Sequence, residues 1–168
     1  MGGAKAGNIA SETATEVFMN TVKEGYAEDH SCAELENLMQ KAILAANETV
    51  YEMSLASDEY SGMGTTLVAA IITRDHAVVL NVGDSRAYHI AEREIKQITK
   101  DHSFVEDLID RGDISREEAQ HHPNKNLITR ALGTCPEIAC DIFSVDMHSG
   151  EYLLLCTDGL TNELEDYE

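Results

Sequence analysis

Residues 62–99 read GMGTTLVAAIITRDHAVVLNVGDSRAYHIAEREIKQIT, and this stretch decides the fold class. It consists of β-branched, apolar runs of strand length that lack helical periodicity and are separated by short polar links. The pattern predicts four strands, at residues 65–73, 76–84, 85–92 and 94–99, with the last two forming a hairpin. Consecutive strands joined by such short links are predicted to be antiparallel.

Two helices are predicted before this strand region. Apolar residues recur at steps of three and four between residues 7 and 23, which predicts a first helix. Ser31 and Glu34 have the spacing of a capping box, and helical periodicity then continues as far as Met53. The second helix is therefore predicted to be long and to bury one apolar face.

Two shorter helices are predicted after the strand region. Ser103 and Glu106 form a second capping box, and the helix behind it is predicted to end at Gly112. Ser115 and Glu118 form a third box, which opens a short helix. Few apolar residues and many charges indicate that this part of the chain is a surface excursion.

Two further strands are predicted near the end of the sequence, at residues 140–146 and 152–156. The helices and strands are grouped along the chain and do not alternate, which favours an α+β fold over a doubly wound parallel sheet. The 168 residues, 43% of them apolar, suit a single domain with one core.

The composition excludes some partners. Twelve Lys and Arg against 31 Asp and Glu give a net charge of −19, which repels nucleic-acid phosphates and anionic membranes. The four cysteines form no C-x-x-C pair, which predicts reduced, mostly buried thiols. No apolar run reaches the length of a membrane span, and the first residues lack the apolar stretch of a secretion signal. We therefore expect a soluble, cytoplasmic protein.

Two aspartates are candidates for metal binding. Asp84 in VGDSR and Asp158 in CTDGL both come where an apolar strand ends. Carboxylates at a strand end suit hard cations, and two of them could share one. Gly-Asp and Asp-Gly are also common turn sequences, so the residue pattern alone leaves a turn role open. Asp101, just before the Ser103 capping box, is predicted to be a helix-entry residue and not a ligand.

Six short motifs occur along the chain in this order: MGGAKAGNIAS, GMGTTLVAAII, VGDSRAYHI, TKDHS, NLITRALG and LLLCTDGL. In this order and spacing the sequence resembles the bacterial type 2C metal-dependent protein serine/threonine phosphatases, the PPM family. The resemblance implies one domain over residues 1–168, built as a sandwich of two antiparallel β-sheets flanked by antiparallel helix pairs. It also implies that residues 102–136 form a helical, flap-like excursion, and that the metal centre lies in a cleft at one end of the sandwich.

The resemblance further implies hydrolysis of phosphoserine and phosphothreonine by a metal-activated water at two Mn²⁺ or Mg²⁺ ions, with a weaker third ion. Asp158 matches a core ligand of the second ion, and Asp84 matches a ligand of the third. No catalytic residue beyond the metal ligands is implied. The implied partners are phosphorylated proteins, substrates of a cognate serine/threonine kinase, and the implied state is a cytoplasmic monomer.

The sequence departs from the family pattern at both ends. The first motif of the family runs Asp-Gly-Met-Gly-Gly, whereas this sequence begins with Met1-Gly2-Gly3, and it stops at Glu168, before the family's Asp-Asn motif. We therefore expect a domain that is incomplete at both termini, that binds metal poorly and that is inactive as it stands.

Two alternatives stay open at the level of sequence. One is a non-catalytic pseudophosphatase, a regulatory binding module with the same fold. The other is a metal-free α+β regulatory domain in which Asp84 and Asp158 are turn residues. Convergence of the two carboxylates in space distinguishes the metal hypothesis from the last of these.

Overall fold

The computed structural model describes residues 4–92 and 94–164. The termini at Met1-Gly2-Gly3 and Glu168, on which the departure from the family pattern rests, lie outside these residues. The elements in chain order are α1 (Ala4–Gly25), α2 (Cys32–Ala56), β1 (Leu67–Ile72), β2 (His76–Val82), β3 (Arg86–Ala91), β4 (Glu94–Gln97), α3 (Phe104–Arg111), α4 (Arg116–Gln120), β5 (Asp141–Asp146), β6 (Tyr152–Cys156) and α5 (Asp158–Thr161).

The strands form two antiparallel sheets of three strands each, with orders β1-β2-β5 and β4-β3-β6. This confirms the α+β fold built on two antiparallel sheets, and the hairpin of β3 with β4 is also confirmed. For the four consecutive strands β1 to β4, the prediction of antiparallel neighbours was wrong between β2 and β3. There the chain crosses from one sheet to the other at Gly83, whose φ of 111° breaks the extended path.

The helices α1 and α2 pack against each other and cover the β1-β2-β5 sheet. The capping box of Ser31 and Glu34 is present, as predicted, at the start of α2. One face of α1 is a stripe of small residues with one aromatic residue, which lets α2 approach closely. The buried residues of this core are Ala6, Ala10, Ala14, Phe18, Leu35, Met39, Ala42, Ile43, Ala46, Val50, Met63, Val78, Leu80, Val82 and Leu132.

Strand β2 is buried on both faces and lies at the centre of the molecule. Val78, Leu80 and Val82 belong to the core under the helices. Ala77 and Val79 are also fully buried but lie outside that core. Because successive side chains of a strand point to opposite faces, these two face the second sheet. The layers are therefore the helices α1 and α2, the first sheet (β1-β2-β5) and the second sheet (β4-β3-β6).

The excursion between β4 and β5 carries α3 and α4, which contact each other. Its base is closed by an antiparallel bridge between Ser103 and Ile128. Gly112 ends α3 in the left-handed region with φ 74°, as predicted. The Ser103 cap is only half of the predicted box, because the Glu106 carboxylate does not return to it and pairs with Arg116 at 3.1 Å.

The prediction of mostly buried thiols was wrong, although none of the four cysteines forms a disulfide. Cys135 is exposed, and Cys32, Cys140 and Cys156 are only half-buried. The reason is position: these residues lie in a loop or at the ends of elements, away from the centres of the strands and helices. Among the described residues, no helix is both long and apolar enough to cross a membrane.

Candidate functional site

Asp84 and Asp158 lie at the same end of neighbouring strands. Arg86, the first residue of β3, pairs with Cys156, the last residue of β6. Asp84 comes two residues before this pair and Asp158 two residues after it, so antiparallel pairing brings both to one rim of the second sheet. Both side chains line the same cavity, whose volume is about 410 Å³.

The local backbone explains how each carboxylate reaches this rim. Asp84 follows Gly83, which lies so close to Thr66 that an added Cβ would meet the threonine methyl at 2.3 Å. Asp158 opens α5 directly after β6, and Thr157 is the N-cap residue. The Asp158-Gly159 pair thus begins a helical turn and not the hairpin that a turn role would require.

The half-buried Asp84 carboxylate lies near two other acidic side chains, and both conditions disfavour its charged form. Burial raises the pKa of Asp84, and the charges of Asp158 and Asp101 add to the rise, while a backbone hydrogen bond opposes it. A cation between Asp84 and Asp158 would offset both the burial and the repulsion.

Two carboxylates at one cavity rim fit part of the coordination shell of a hard divalent cation, because their oxygens are the donors that Mg²⁺ and Mn²⁺ prefer. Within residues 4–92 and 94–164, no group of three or more His, Cys, Asp or Glu side chains comes together to hold a metal ion. The described residues therefore supply two acidic groups toward such a site, and a full shell needs further oxygens.

Asp101 stands two residues before the Ser103 N-cap, at the entry to α3, and its side chain is the ion-pair partner of Arg86. The Arg86 guanidinium donates to both of its oxygens, from Nε at 2.9 and 3.0 Å and from Nη2 at 2.7 Å. Arg86 also donates to the Tyr88 hydroxyl at 3.1 Å, and Gln97 donates to Asp101 at 3.1 Å. This pair stiffens the start of β3 beside Asp84, and no spacing rule could have found it.

The excursion forms the opposite wall of the cavity. Val105, Glu106 and Ile109 of α3 line it, together with Arg116 of α4 and Lys125. Arg116 remains 72% exposed while it pairs with Glu106, which is 10% exposed. The cavity thus has carboxylates on the sheet rim, and its facing wall carries the cationic side chains of Arg116 and Lys125 beside Glu106. The two cationic side chains suit an anionic ligand held beside a cation.

Sequence reasoning also missed a cluster around His102. This histidine contacts the Gly83 backbone, Arg130 and Asp141, which are distant in sequence. Its members fall in or near the TKDHS and NLITRALG motifs, but no local periodicity assigns them a common place.

The sequence profile described as protein phosphatase 2C matches residues 1–168. The serine/threonine phosphatase stp of Listeria monocytogenes serotype 4b is 42% identical over 168 residues, covering 100% of this chain and 66% of that protein. This chain therefore spans slightly less than two thirds of that relative.

Solved structures agree with this similarity. The serine/threonine phosphatase Stp1 from Staphylococcus aureus superposes with a TM-score of 0.91 at 40% identity, over 99% of this chain and 65% of that one. The catalytic domain of the phosphatase PstP, solved in complex with two manganese ions, superposes with a TM-score of 0.83 at 32% identity, over 99% of this chain and 67% of that one. The chain belongs to the protein phosphatase 2C family.

Proposed function

We propose that this chain is part of a metal-dependent protein serine/threonine phosphatase domain, in which Asp84 and Asp158 bind divalent cations, Mn²⁺ or Mg²⁺. The observation that carries the proposal is the meeting of these carboxylates at one cavity rim, in a chain 42% identical to a serine/threonine phosphatase. The substrates are phosphoserine and phosphothreonine proteins, products of a kinase in the same cytoplasm, and the protein acts as a monomer.

The chain's own residues have distinct parts in this proposal. Asp158 would hold an ion of the principal pair, and Asp84 would hold a weaker third ion. Divalent cations held there would supply a lowered pKa of a coordinated water and neutralisation of phosphoryl oxygens. Residues 102–136 form the flap-like part of the single domain, and Arg116 and Lys125 on that wall attract the anionic substrate into the cavity.

We propose further that the 168-residue chain alone is inactive. Its described residues provide no group of three metal-holding side chains, and a two-ion centre needs more oxygen ligands than Asp84 and Asp158 supply. The same observation favours a second candidate, a non-catalytic pseudophosphatase that uses this fold to bind a partner.

The test compares the chain with an extended chimera, in which the segments of the Listeria phosphatase outside the matched region are joined to residues 1–168. Hydrolysis of p-nitrophenyl phosphate and of a phosphothreonine peptide is measured with Mn²⁺. We expect activity only in the chimera. An inactive chimera with a native circular dichroism spectrum would favour the binding module, and full activity of the chain alone would refute the incomplete-site proposal.

Substitutions in the chimera then separate the two aspartates. Asp158→Ala should abolish activity, whereas Asp84→Ala should lower turnover and leave the two principal ions bound. Asp146→Ala is the matched control, since Asp146 is exposed and lies opposite His76 in the strand register, at the far end of the β1-β2-β5 sheet. Wild-type activity in Asp158→Ala would contradict the metal assignment.

A further inference from the structure

His102 is a buried histidine, 5% exposed, beside the turn that carries Asp84. Its backbone N–H donates to the Gly83 carbonyl at 2.9 Å, and its Nδ1 accepts from the Gly83 N–H at 3.0 Å. One residue therefore satisfies both backbone polar groups of Gly83. The Asn81 side chain adds a second donor to the Gly83 carbonyl at 3.1 Å.

The other side of the imidazole faces an ion pair. His102 Nε2 lies 3.2 Å from Asp141 Oδ2, and Arg130 Nη1 donates to Asp141 Oδ1 at 3.0 Å. Arg130 Nη1 also lies 3.1 Å from His102 Nε2. The two partners come from the loop after the excursion and from the start of β5, so the histidine links the turn to two distant parts of the chain.

The hydrogen-bond partners select one tautomer of the ring. Nδ1 faces an N–H donor and must present its lone pair, so the ring proton lies on Nε2. The Nε2–H then donates to Asp141, because a guanidinium has donors only and cannot accept a proton. Arg130 completes the arrangement by donating to the other oxygen of the same carboxylate.

We propose that His102 is a positioning residue: Asp141 fixes its Nε2–H tautomer, and Nδ1 then anchors the Gly83 N–H and sets the direction in which Asp84 points at the cavity. The effect on the reaction rests on the proposed metal-binding role of Asp84. The anchor itself, from Asp141 through His102 to Gly83, is independent of that role.

The backbone at Gly83 is closely confined. It is buried, and its φ of 111° with Thr66 against its Cα leaves little room for the turn to shift. Without the Nδ1 lone pair its N–H would be a buried donor lacking an acceptor, which destabilises this conformation of the turn. The carboxylate of the next residue would then sample other directions.

The first test needs no variant. In the 168-residue chain labelled with ¹⁵N-histidine and ¹⁵N-glycine, NMR should show His102 with its proton on Nε2 and Gly83 with a slowly exchanging amide. A proton on Nδ1 would overturn the proposal, and so would an unprotected Gly83 amide.

The second test uses two substitutions of His102, each of which keeps a polar atom at the position of one ring nitrogen and loses the other. The Oδ1 of His102→Asn occupies the position of Nδ1 and can accept from Gly83, whereas the amide of His102→Gln reaches toward Asp141 and leaves Gly83 without an acceptor. We expect Gly83 exchange to accelerate about tenfold or more in His102→Gln and much less in His102→Asn. A role in filling space predicts the reverse order, because Gln is closer to His in size.

His89 supplies the matched control, because its Nε2 lies 2.9 Å from the Glu151 carboxylate on the second sheet, away from Gly83. His89→Asn and His89→Gln should leave Gly83 exchange unchanged. Equal effects of the His102 and His89 substitutions would overturn the anchor.

The consequence for metal binding is measured in the extended chimera. The Mn²⁺ concentration for half-maximal activity should rise several-fold in His102→Gln and return toward wild type in His102→Asn. A lost Gly83 anchor with an unchanged Mn²⁺ response would overturn the link to Asp84. If Asp84→Ala itself has no effect, the proposed role of Asp84 fails, and the NMR result still decides the anchor.

Discussion

Asp84 shows, at the scale of one residue, a conflict between stability and the proposed chemistry. Burial raises the pKa of its carboxyl, with further contributions from Asp158 and Asp101. A carboxyl with a raised folded-state pKa contributes stability below its unfolded-state pKa, and this contribution is lost as the pH rises through the folded-state pKa. Without metal, the Asp84 carboxyl therefore makes the fold less stable at neutral pH than in acid.

We expect Asp84→Asn to raise the Tm of the metal-free chain at neutral pH, because the amide removes a half-buried charge near Asp158. The gain should shrink in acid, where the wild-type carboxyl is protonated. Thermal melts in the presence of a chelator at the two pH values measure the difference. Exposed Asp146→Asn is the control and should show no such gain; a gain for Asp84→Asn that is the same at both pH values would contradict the prediction.

Gly83 and Gly112 allow a comparison of two left-handed glycines. An added Cβ at Gly112 meets nothing within 4 Å, whereas at Gly83 it meets the Thr66 side chain at 2.3 Å. We expect Gly112→Ala to cost about 1–2 kcal/mol from backbone conformation alone. Gly83→Ala should cost roughly 3 kcal/mol or more, since overpacking is added. Urea unfolding of both variants gives the two values, and equal losses would show that the turn can move.

At the scale of elements, the Ser31 capping box sets the start of α2, which contributes six residues to the buried core under the helices: Leu35, Met39, Ala42, Ile43, Ala46 and Val50. The Ser31 hydroxyl accepts from Glu34 N, and the Glu34 carboxylate accepts from the Ser31 N–H at 2.8 Å. We expect Ser31→Ala to lower the free energy of unfolding by about 1 kcal/mol, because the Glu34 N–H in the first turn of the helix loses its acceptor.

The control for this prediction is Ser11→Ala. Ser11 is exposed within α1, and its hydroxyl donates to the Asn8 carbonyl at 3.0 Å. Loss of this exposed hydroxyl should change stability by about a few tenths of a kcal/mol at most. Chemical denaturation measures both variants. A Ser31→Ala loss no larger than that of Ser11→Ala would mean that packing, and not the cap, defines the start of α2.

At the scale of the whole molecule, the second sheet presents apolar side chains to solvent. Ile90 pairs with Ile95 on one side and with Tyr152 on the other, so the three share a face. Tyr152 is 69% exposed and Ile95 41%. In the part of the chain that the structure describes, β6 is also the edge of its sheet, and exposed apolar edge strands promote association.

We expect Tyr152→Lys to reduce aggregation of the isolated chain, because a charge on an edge strand opposes pairing with another copy. Light scattering during refolding over a range of concentrations measures the effect. Tyr26→Lys is the control, since Tyr26 is 42% exposed but follows a helix and lies on no sheet edge. Equal protection by both substitutions would indicate a general charge effect.

Local patterns in the sequence were sufficient for most elements. Hydrophobic periodicity and the Ser31 box located α2, and β-branched runs located β1 to β4, because both signals depend on residues within a few positions of each other. Asp84 and Asp158 were recognisable as strand-end carboxylates for the same reason. Their proposed identity as metal ligands came from the family resemblance.

Only the tertiary structure decided which strands share a sheet and which polar groups meet. β2 and β3 are adjacent in sequence yet belong to different sheets, and Glu106 leaves a local capping box for Arg116. Arg86 with Asp101, and His102 with Asp141, pair across 15 and 39 residues. Such contacts follow from strand register and burial, which place distant side chains in one low-dielectric region where each must find a partner.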